Sequence, residues 1–227
     1  MDTPLSIGVL ALQGAVEPHC AKLQGLGAAP VRVRTASELS ACRGLIIPGG
    51  ESTTFLKLIH AYDLWQPLLD FGAAHPVWGV CAGSILMATQ VENPVQDSLG
   101  LVPLTVRRNA YGRQNESFIT RLTLHLPGQP ARTQEGVFIR APVVTAHDPS
   151  VAVLAEHGGH PVVLAHGRHL ITTFHPELSA EDALHRFFAA QCGLVADGLG
   201  PEAREPTGPT QESLQTEPPT TRVGAGG

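Results

Sequence analysis

No stretch of the 227-residue chain approaches the roughly 20 consecutive apolar residues of a membrane-spanning helix, so no membrane partner is expected. Cysteine is scarce: Cys20, Cys42, Cys81 and Cys192 show no C-x-x-C spacing, which argues against a disulfide framework and against a zinc site. Positive charge is also short, with 15 Lys and Arg against 20 Asp and Glu, a net −5, and this gives no electrostatic reason for a nucleic-acid or anionic-membrane partner. The first apolar run is preceded by Asp2 and no basic residue, and Gln13-Gly14 interrupts it, so it does not read as a secretory signal; a reducing cytoplasm is the expected compartment. There is no Gly-Lys-Ser/Thr, hence no P-loop, and no internal repeat. His157, His160, His166 and His169 crowd one region without a carboxylate or cysteine at ligand spacing, so no metal is expected there.

What is present is apolar residues, 43% of the chain, enough for one sizeable core. Short apolar runs at 6–12, 31–34, 44–47 and 77–80 alternate with helical stretches at 16–26, 37–41, 54–62 and 64–74. Ser52 or Thr53 is placed to cap the third of these helices. This alternation predicts βαβ units and a parallel sheet covered on both faces. From 99 to 126 β-formers flank a polar loop, which reads as antiparallel strands, and more strands are expected at 136–140, 143–146 and 151–155. A hairpin over 162–165 and 170–174 and a final helix capped by Ser179 complete the pattern. The expected fold is α/β with three αβα layers, a mostly parallel central sheet and antiparallel additions. It occupies one domain, 1–196, and a Pro-, Gly-, Thr- and Glu-rich tail over 197–227 reads as disordered.

Three strand ends carry the chemistry. In Gly79-Val80-Cys81-Ala82-Gly83 a cysteine stands between two glycines where a buried strand meets a helix, like a G-x-S-x-G elbow with sulfur for oxygen. Such a turn presents a nucleophile at a helix N-terminus, where the thiolate is favoured; the alternative is a buried, inert cysteine. His175-Pro176-Glu177 follows another strand. In extended backbone residues two apart point to one side, so Glu177 is placed to orient His175 and His175 to activate a thiol; the alternative is an exposed turn. Pro48-Gly49-Gly50 follows a third strand, where the Gly50 N–H joins that of Ala82 as an oxyanion donor, or where the glycine pair is simply a turn.

Taken with Leu12-Gln13-Gly14-Ala15-Val16, Gly49-Gly50-Glu51-Ser52-Thr53-Thr54, Arg108-Asn109-Ala110-Tyr111-Gly112-Arg113-Gln114 and Gly136-Val137-Phe138-Ile139-Arg140-Ala141-Pro142, these segments resemble the glutaminase subunits of pyridoxal 5′-phosphate synthases. Those are class I (triad) glutamine amidotransferases with a flavodoxin-like fold. The resemblance runs from about Ile7 to the last helix. It implies that Cys81 attacks the side-chain amide of L-glutamine with His175 and Glu177 as its partners, giving a thioester and ammonia without a cofactor. It implies that Gly50, Glu51, Ser52, Arg108, Ile139 and Arg140 bind glutamine; Glu51 suits an α-ammonium and an arginine an α-carboxylate. It also implies a synthase subunit as partner in a large hetero-oligomer, with the Gln13-Gly14 loop near both the docking surface and the oxyanion hole, and little activity before docking.

The chain departs from that pattern at Val80, where the family has Thr, at Ser84, where it has Leu or Met, and at Glu17-Pro18, which replaces Arg-Glu. Two other functions fit the residues: an elbow-cysteine hydrolase acting alone, such as a γ-glutamyl peptidase, and a non-catalytic regulatory subunit. The intact Cys81, His175 and Glu177 argue against the latter.

Overall fold

Alternate residues of the central strands go to opposite cores, and both faces are apolar. In β1 (Ser6–Leu10) Ile7 and Val9 face one cluster and Leu10 the other. In β3 (Leu45–Ile47) Ile46 opposes Leu45 and Ile47, and in β4 (Val77–Val80) Trp78 and Val80 oppose Val77. Such strands need a cover on each side, which is why their sequences run apolar without interruption. One side is covered by α3 (Ser52–Ala61), α4 (Trp65–Ala74) and α5 (Ala82–Met87). On the other side lie α1 (Val16–Gly25) and α6 (Ala183–Gln191), whose Cys20, Leu23, Leu184 and Phe188 pack against Trp78 and its neighbours.

The computed structural model describes residues 4–108 and 117–194. The remaining elements are β2 (Ala29–Val33), α2 (Ala36–Ser40), β5 (Ala88–Glu92), β6 (Val102–Arg107), β7 (Ser117–Leu124), β8 (Arg132–Ile139), β9 (Val143–His147), β10 (Ala152–His157), β11 (His160–His166) and β12 (His169–Thr172). Seven strands form the main sheet in the order β10-β11-β12-β4-β3-β1-β2. From β12 to β2 every neighbouring pair is parallel, and β10-β11-β12 is an antiparallel addition closed at His166↔His169. Two smaller sheets, β5-β6-β9 and β7-β8, stand beside it. The expected α/β class with a mostly parallel sheet is therefore what the chain adopts. Since β1, β3, β4 and β12 run in one direction, the loops that follow them emerge along one edge, where sites form in such sheets.

Four local expectations change. The strands flanking the polar loop do not pair with each other: β6 pairs with β5 and β9, and β7 with β8, so each finds its own apolar partners. Neither Ser52 nor Thr53 caps α3; the Glu51 carboxylate does, accepting from the Thr54 N–H at 2.8 Å, because helical geometry already begins at Ser52. Ser179 does not cap α6, which starts after Asp182; its hydroxyl instead donates to Pro176 O at 3.0 Å. Last, β5 continues directly from α5, where no strand is expected from the sequence. The tail over 197–227 and Asn109 to Gln114 of the polar loop lie outside the described residues.

Candidate active site

Cys81 is the hinge between β4 and α5, and its backbone sits at φ 49°, ψ −103°, a region that a side chain other than glycine enters only when its surroundings impose it. The surroundings are visible. The Cys81 N–H donates to Thr172 O on β12 at 2.8 Å, and the Cys81 carbonyl accepts from both the N–H (3.0 Å) and the hydroxyl (2.6 Å) of Ser84. Ser84, one of the departures from the family pattern, thus ties down the strained residue; Val80, another, lies in the apolar core. The flanking glycines serve closeness rather than a left-handed turn: a Cβ on Gly83 would strike the Ile47 carbonyl, and one on Gly79 the Gly83 carbonyl. The elbow is packed directly on the end of β3, and only hydrogen fits between.

His175 follows β12 and faces the same pocket, of ≈ 430 Å³, as Cys81. Its N–H is anchored to Val137 O at 2.9 Å, and its Nδ1 lies 2.7 Å from Glu177 Oε1. The pair is not brought together by extended backbone as expected, because Pro176–Leu178 forms a 3₁₀ turn; that turn folds the Glu177 carboxylate back under the ring. Glu177 is fully buried at its side chain and lies behind the imidazole, outside the pocket. Burial of the imidazole opposes its protonation, but hydrogen bonds and charge from Cys81 and Glu177 outweigh this and raise its pKa to about 10. Burial likewise opposes ionisation of Glu177, and the His175 hydrogen bond together with the nearby imidazoles holds its pKa below the usual carboxylate range. Gly49 is fixed by the same ring, since a Cβ there would run into the His175 imidazole.

The other expected residues gather around this centre. Gly50, Ala82, Glu51, Ser52, Arg108, Ile139 and Arg140 all line the pocket, as does Gly14. Arg108 is 9% exposed; its Nη2 donates to Glu51 Oε1 at 3.1 Å and its Nη1 has no partner. Some desolvation of the exposed Glu51 carboxylate opposes its ionisation, but hydrogen bonds from Thr53 and Thr54 outweigh it and keep its pKa lowered. The Ser52 hydroxyl donates to Gln96 Oε1 at 2.9 Å. Ile139 ends β8 and offers its carbonyl to the Cys81 sulfur at 4.0 Å, and Arg140 follows at φ 45°. Gln13 does not line the pocket. Its side chain brackets Glu51 instead, donating to the carbonyl at 2.7 Å and accepting from the N–H at 3.4 Å, while the Ala15 N–H donates to Gly49 O at 3.2 Å.

Several contributors carry no functional signature in the sequence. Ala15, Ile85 and Pro142 also line the pocket; nothing in their residue types announces it. His19 of α1 and His185 of α6 are fully buried behind Glu177, and only the spacing of His19, Cys20 and Leu23 on one helical face hinted that His19 points inward. What the assembled groups can do is nucleophilic acyl transfer: an elbow cysteine, an imidazole to move protons, a carboxylate to orient it, and charged groups lining the same pocket to hold an amino acid.

Comparison with known proteins agrees with this chemistry. Residues 9–194 match the model of the SNO glutamine amidotransferase family. Pyridoxal 5′-phosphate synthase subunit PdxT of Solibacter usitatus is 47% identical over 82% of this chain and 98% of its own length. The subunit of the same name from Deinococcus radiodurans is 44% identical over 83% and 98%. A solved glutamine amidotransferase covers 83% of this chain and 99% of its own at 39% identity, with a TM-score of 0.77. PurLQS from Thermotoga maritima shares the fold at 13% identity and a TM-score of 0.60.

Proposed function

The chain belongs to the SNO glutamine amidotransferase family, and from that premise we propose that it hydrolyses L-glutamine to L-glutamate and ammonia for pyridoxal 5′-phosphate synthesis, with Cys81 as nucleophile. The observation that carries the residue roles is the strained elbow of Cys81 facing an imidazole whose Nδ1 is 2.7 Å from a buried carboxylate. Glutamine enters with its α-carboxylate toward Arg108, whose free Nη1 suits it, and its α-ammonium toward Glu51. These two groups pair with each other in the described state, so the substrate's zwitterion replaces their mutual contact. Gly50, Ser52, Ile139 and Arg140 complete the pocket around it.

The Cys81 thiolate attacks the amide carbon and a C–S bond forms. Charge moves to the carbonyl oxygen, to be met by the N–H groups of Gly50 and Ala82. The C–N bond then breaks as the His175 imidazolium passes its proton to the leaving nitrogen, which departs as ammonia. Water attacks the γ-glutamyl thioester, His175 takes its proton, and the C–S bond breaks to give glutamate and the thiolate. Glu177 accepts from His175 Nδ1 throughout and stabilises the imidazolium each time it forms.

Ammonia passes to a synthase subunit of the PdxS type within a large hetero-oligomer in the cytoplasm. The free, buried state of the described cysteines is in keeping with a reducing compartment. No described helix is long and apolar enough to cross a membrane. The Gln13-Gly14 loop couples docking to the oxyanion hole, because it holds Gly49 and Glu51 on either side of Gly50. Ammonia release from glutamine, measured with and without a synthase subunit, tests the reading. Strong stimulation by the partner and its loss in Cys81→Ala are expected; high activity of the chain alone without stimulation indicates an independent hydrolase and refutes the coupling.

A further inference from the structure

Behind the triad lies a row of buried polar groups that the mechanism above does not use. Glu177 Oε1 is engaged by His175, but Oε2 is buried and has no hydrogen bond; its near neighbour is His19 Nε2 at 3.5 Å, also buried and otherwise unpartnered. On its other side, His19 Nδ1 lies 2.9 Å from His185 Nε2. Two buried orphans that face each other are each other's natural partners. We propose that His19 and His185 are positioning residues, which hold the outer oxygen of Glu177 and thereby fix the aim and tautomer of His175. The proposal rests on the triad chemistry of the preceding section.

Proton counting fixes the arrangement. Burial lowers the pKa of both His19 and His185 to about 3, against the pull of the Glu177 charge on His19, so at neutral pH each ring carries one N–H. Glu177 is an acceptor only, so the His19 proton sits on Nε2. His19 Nδ1 is then bare and must accept, which places the His185 proton on Nε2 and leaves His185 Nδ1 bare, consistent with its having no partner. Every donor now points the same way, toward the carboxylate, and His175 Nδ1–H completes its other side. The reactive nitrogen, His175 Nε2, is thereby left facing the Cys81 sulfur.

The charged and titratable groups around this row are few. His175 and Cys81 lie beyond Glu177, and Lys22 acts on His185 from the same helix as His19. The Trp78 ring meets His19 and His185 edge-on at 5.8 and 4.8 Å and closes the row from water. Lys22 stands one helical turn after His19 and donates to the carbonyls of Ser179, Ala180 and Glu181 at 2.7, 3.1 and 3.1 Å. Helix α1 therefore grips the segment that carries Glu177 at two successive turns. The same helix begins just after the Gln13-Gly14 loop, so the loop proposed to feel the partner runs directly into the helix that carries the residue proposed to aim the triad.

The test uses the full chain with a synthase subunit and compares His19→Leu, which removes both ring contacts, with His19→Gln, whose amide can donate to Glu177 and accept from His185. The expected result is a kcat lowered about ten- to hundredfold in His19→Leu with KM for glutamine little changed, and substantial recovery in His19→Gln. Iodoacetamide labelling of Cys81, followed by mass spectrometry of its peptide across pH 5–9, gives a readout that needs no glutamine turnover. The labelling profile is expected to move up by about one pH unit in His19→Leu, the equivalent of a tenfold weaker imidazolium–thiolate pair, and to return in His19→Gln. A folded His19→Leu with the parent's kcat and labelling profile overturns the proposal. Should that variant fail to fold, His185→Leu keeps the His19–Glu177 contact while releasing the His19 tautomer; a smaller shift in the same direction supports the proposal and an unmoved profile overturns it. If the parent releases no ammonia from glutamine yet the labelling shift appears, the positioning role stands and the glutaminase reading fails.

Discussion

Replacing Glu177 by Gln removes one negative charge from the centre of a buried row and changes almost nothing in shape. The amide has one acceptor where the carboxylate has two, yet two N–H groups, His175 Nδ1 and His19 Nε2, point at it. If the amide oxygen stays on His175, the ring keeps its aim but loses its counter-ion when it becomes an imidazolium. Two unit charges 4 Å apart attract by about 4 kcal/mol at an effective dielectric constant of 20, and the relief of no longer burying a carboxylate offsets part of this. A net loss of about 2–4 kcal/mol corresponds to a roughly thirty- to thousandfold fall in kcat. If the amide nitrogen faces His175 instead, the ring is forced into the wrong tautomer and the loss is larger, about ten-thousandfold in comparable triads. Either way KM for glutamine changes little, since Glu177 does not line the pocket. Stability falls as well, because the fold favours the ionised form of Glu177 and the amide leaves one of two buried N–H groups without an acceptor. The assay is continuous detection of ammonia with the synthase subunit present, together with a thermal melt. A Glu177→Gln enzyme within threefold of the parent kcat, at the parent's pH dependence, refutes the assignment of Glu177 as orienting carboxylate.

Acid should weaken the fold over a defined range. His19, His185 and His169 are held near pKa values of about 3, 3 and 4 by burial, whereas the unfolded chain protonates them near 6.5. The unfolded state therefore binds up to three more protons, and stability falls as pH drops below about 6.5, at up to about 4 kcal/mol per unit; urea melts showing equal stability at pH 5 and pH 7 would contradict this. His175 has the opposite sign, so its contribution is full below pH 6.5 and fades as pH rises toward about 10. Gly83→Ala presses a methyl group against the Ile47 carbonyl and should cost at least about 1–3 kcal/mol, a fall in Tm of several degrees by calorimetry. Glu51→Gln and Glu51→Ala should separate two duties. Both raise KM for glutamine by removing the charge that meets the α-ammonium, but only the alanine also removes the α3 cap, with about 0.5–2 kcal/mol of stability; equal melts for the two variants would count against the cap.

The sequence by itself determined the strands and the chemistry at their ends. Runs such as Leu45-Ile46-Ile47 and Val77-Trp78-Gly79-Val80 are apolar on both alternating faces, which only a sheet covered on each side can satisfy, and the residues that follow each run are small, strained or reactive. That was enough to single out Cys81, His175, Glu177 and Gly50, because backbone periodicity and turn chemistry are local properties. Local pattern is not enough where packing decides the backbone geometry or the strand partner. Glu51 rather than Ser52 caps α3, and a 3₁₀ turn rather than extended backbone joins His175 to Glu177; both outcomes are set by packing around the pocket. The strands beside the polar loop belong to different sheets because their partners lie elsewhere in the sequence.

Only the tertiary structure placed His19, 158 residues before Glu177 in the chain, against its second oxygen, and His185 of the last helix behind His19. No spacing rule connects residues so far apart, and as two histidines among eleven they belong to no motif that links them to the triad. Their meaning comes from burial: once water is excluded, each N–H and each lone pair must find a partner, and that requirement, rather than any motif, sets the direction of the protons behind the nucleophile.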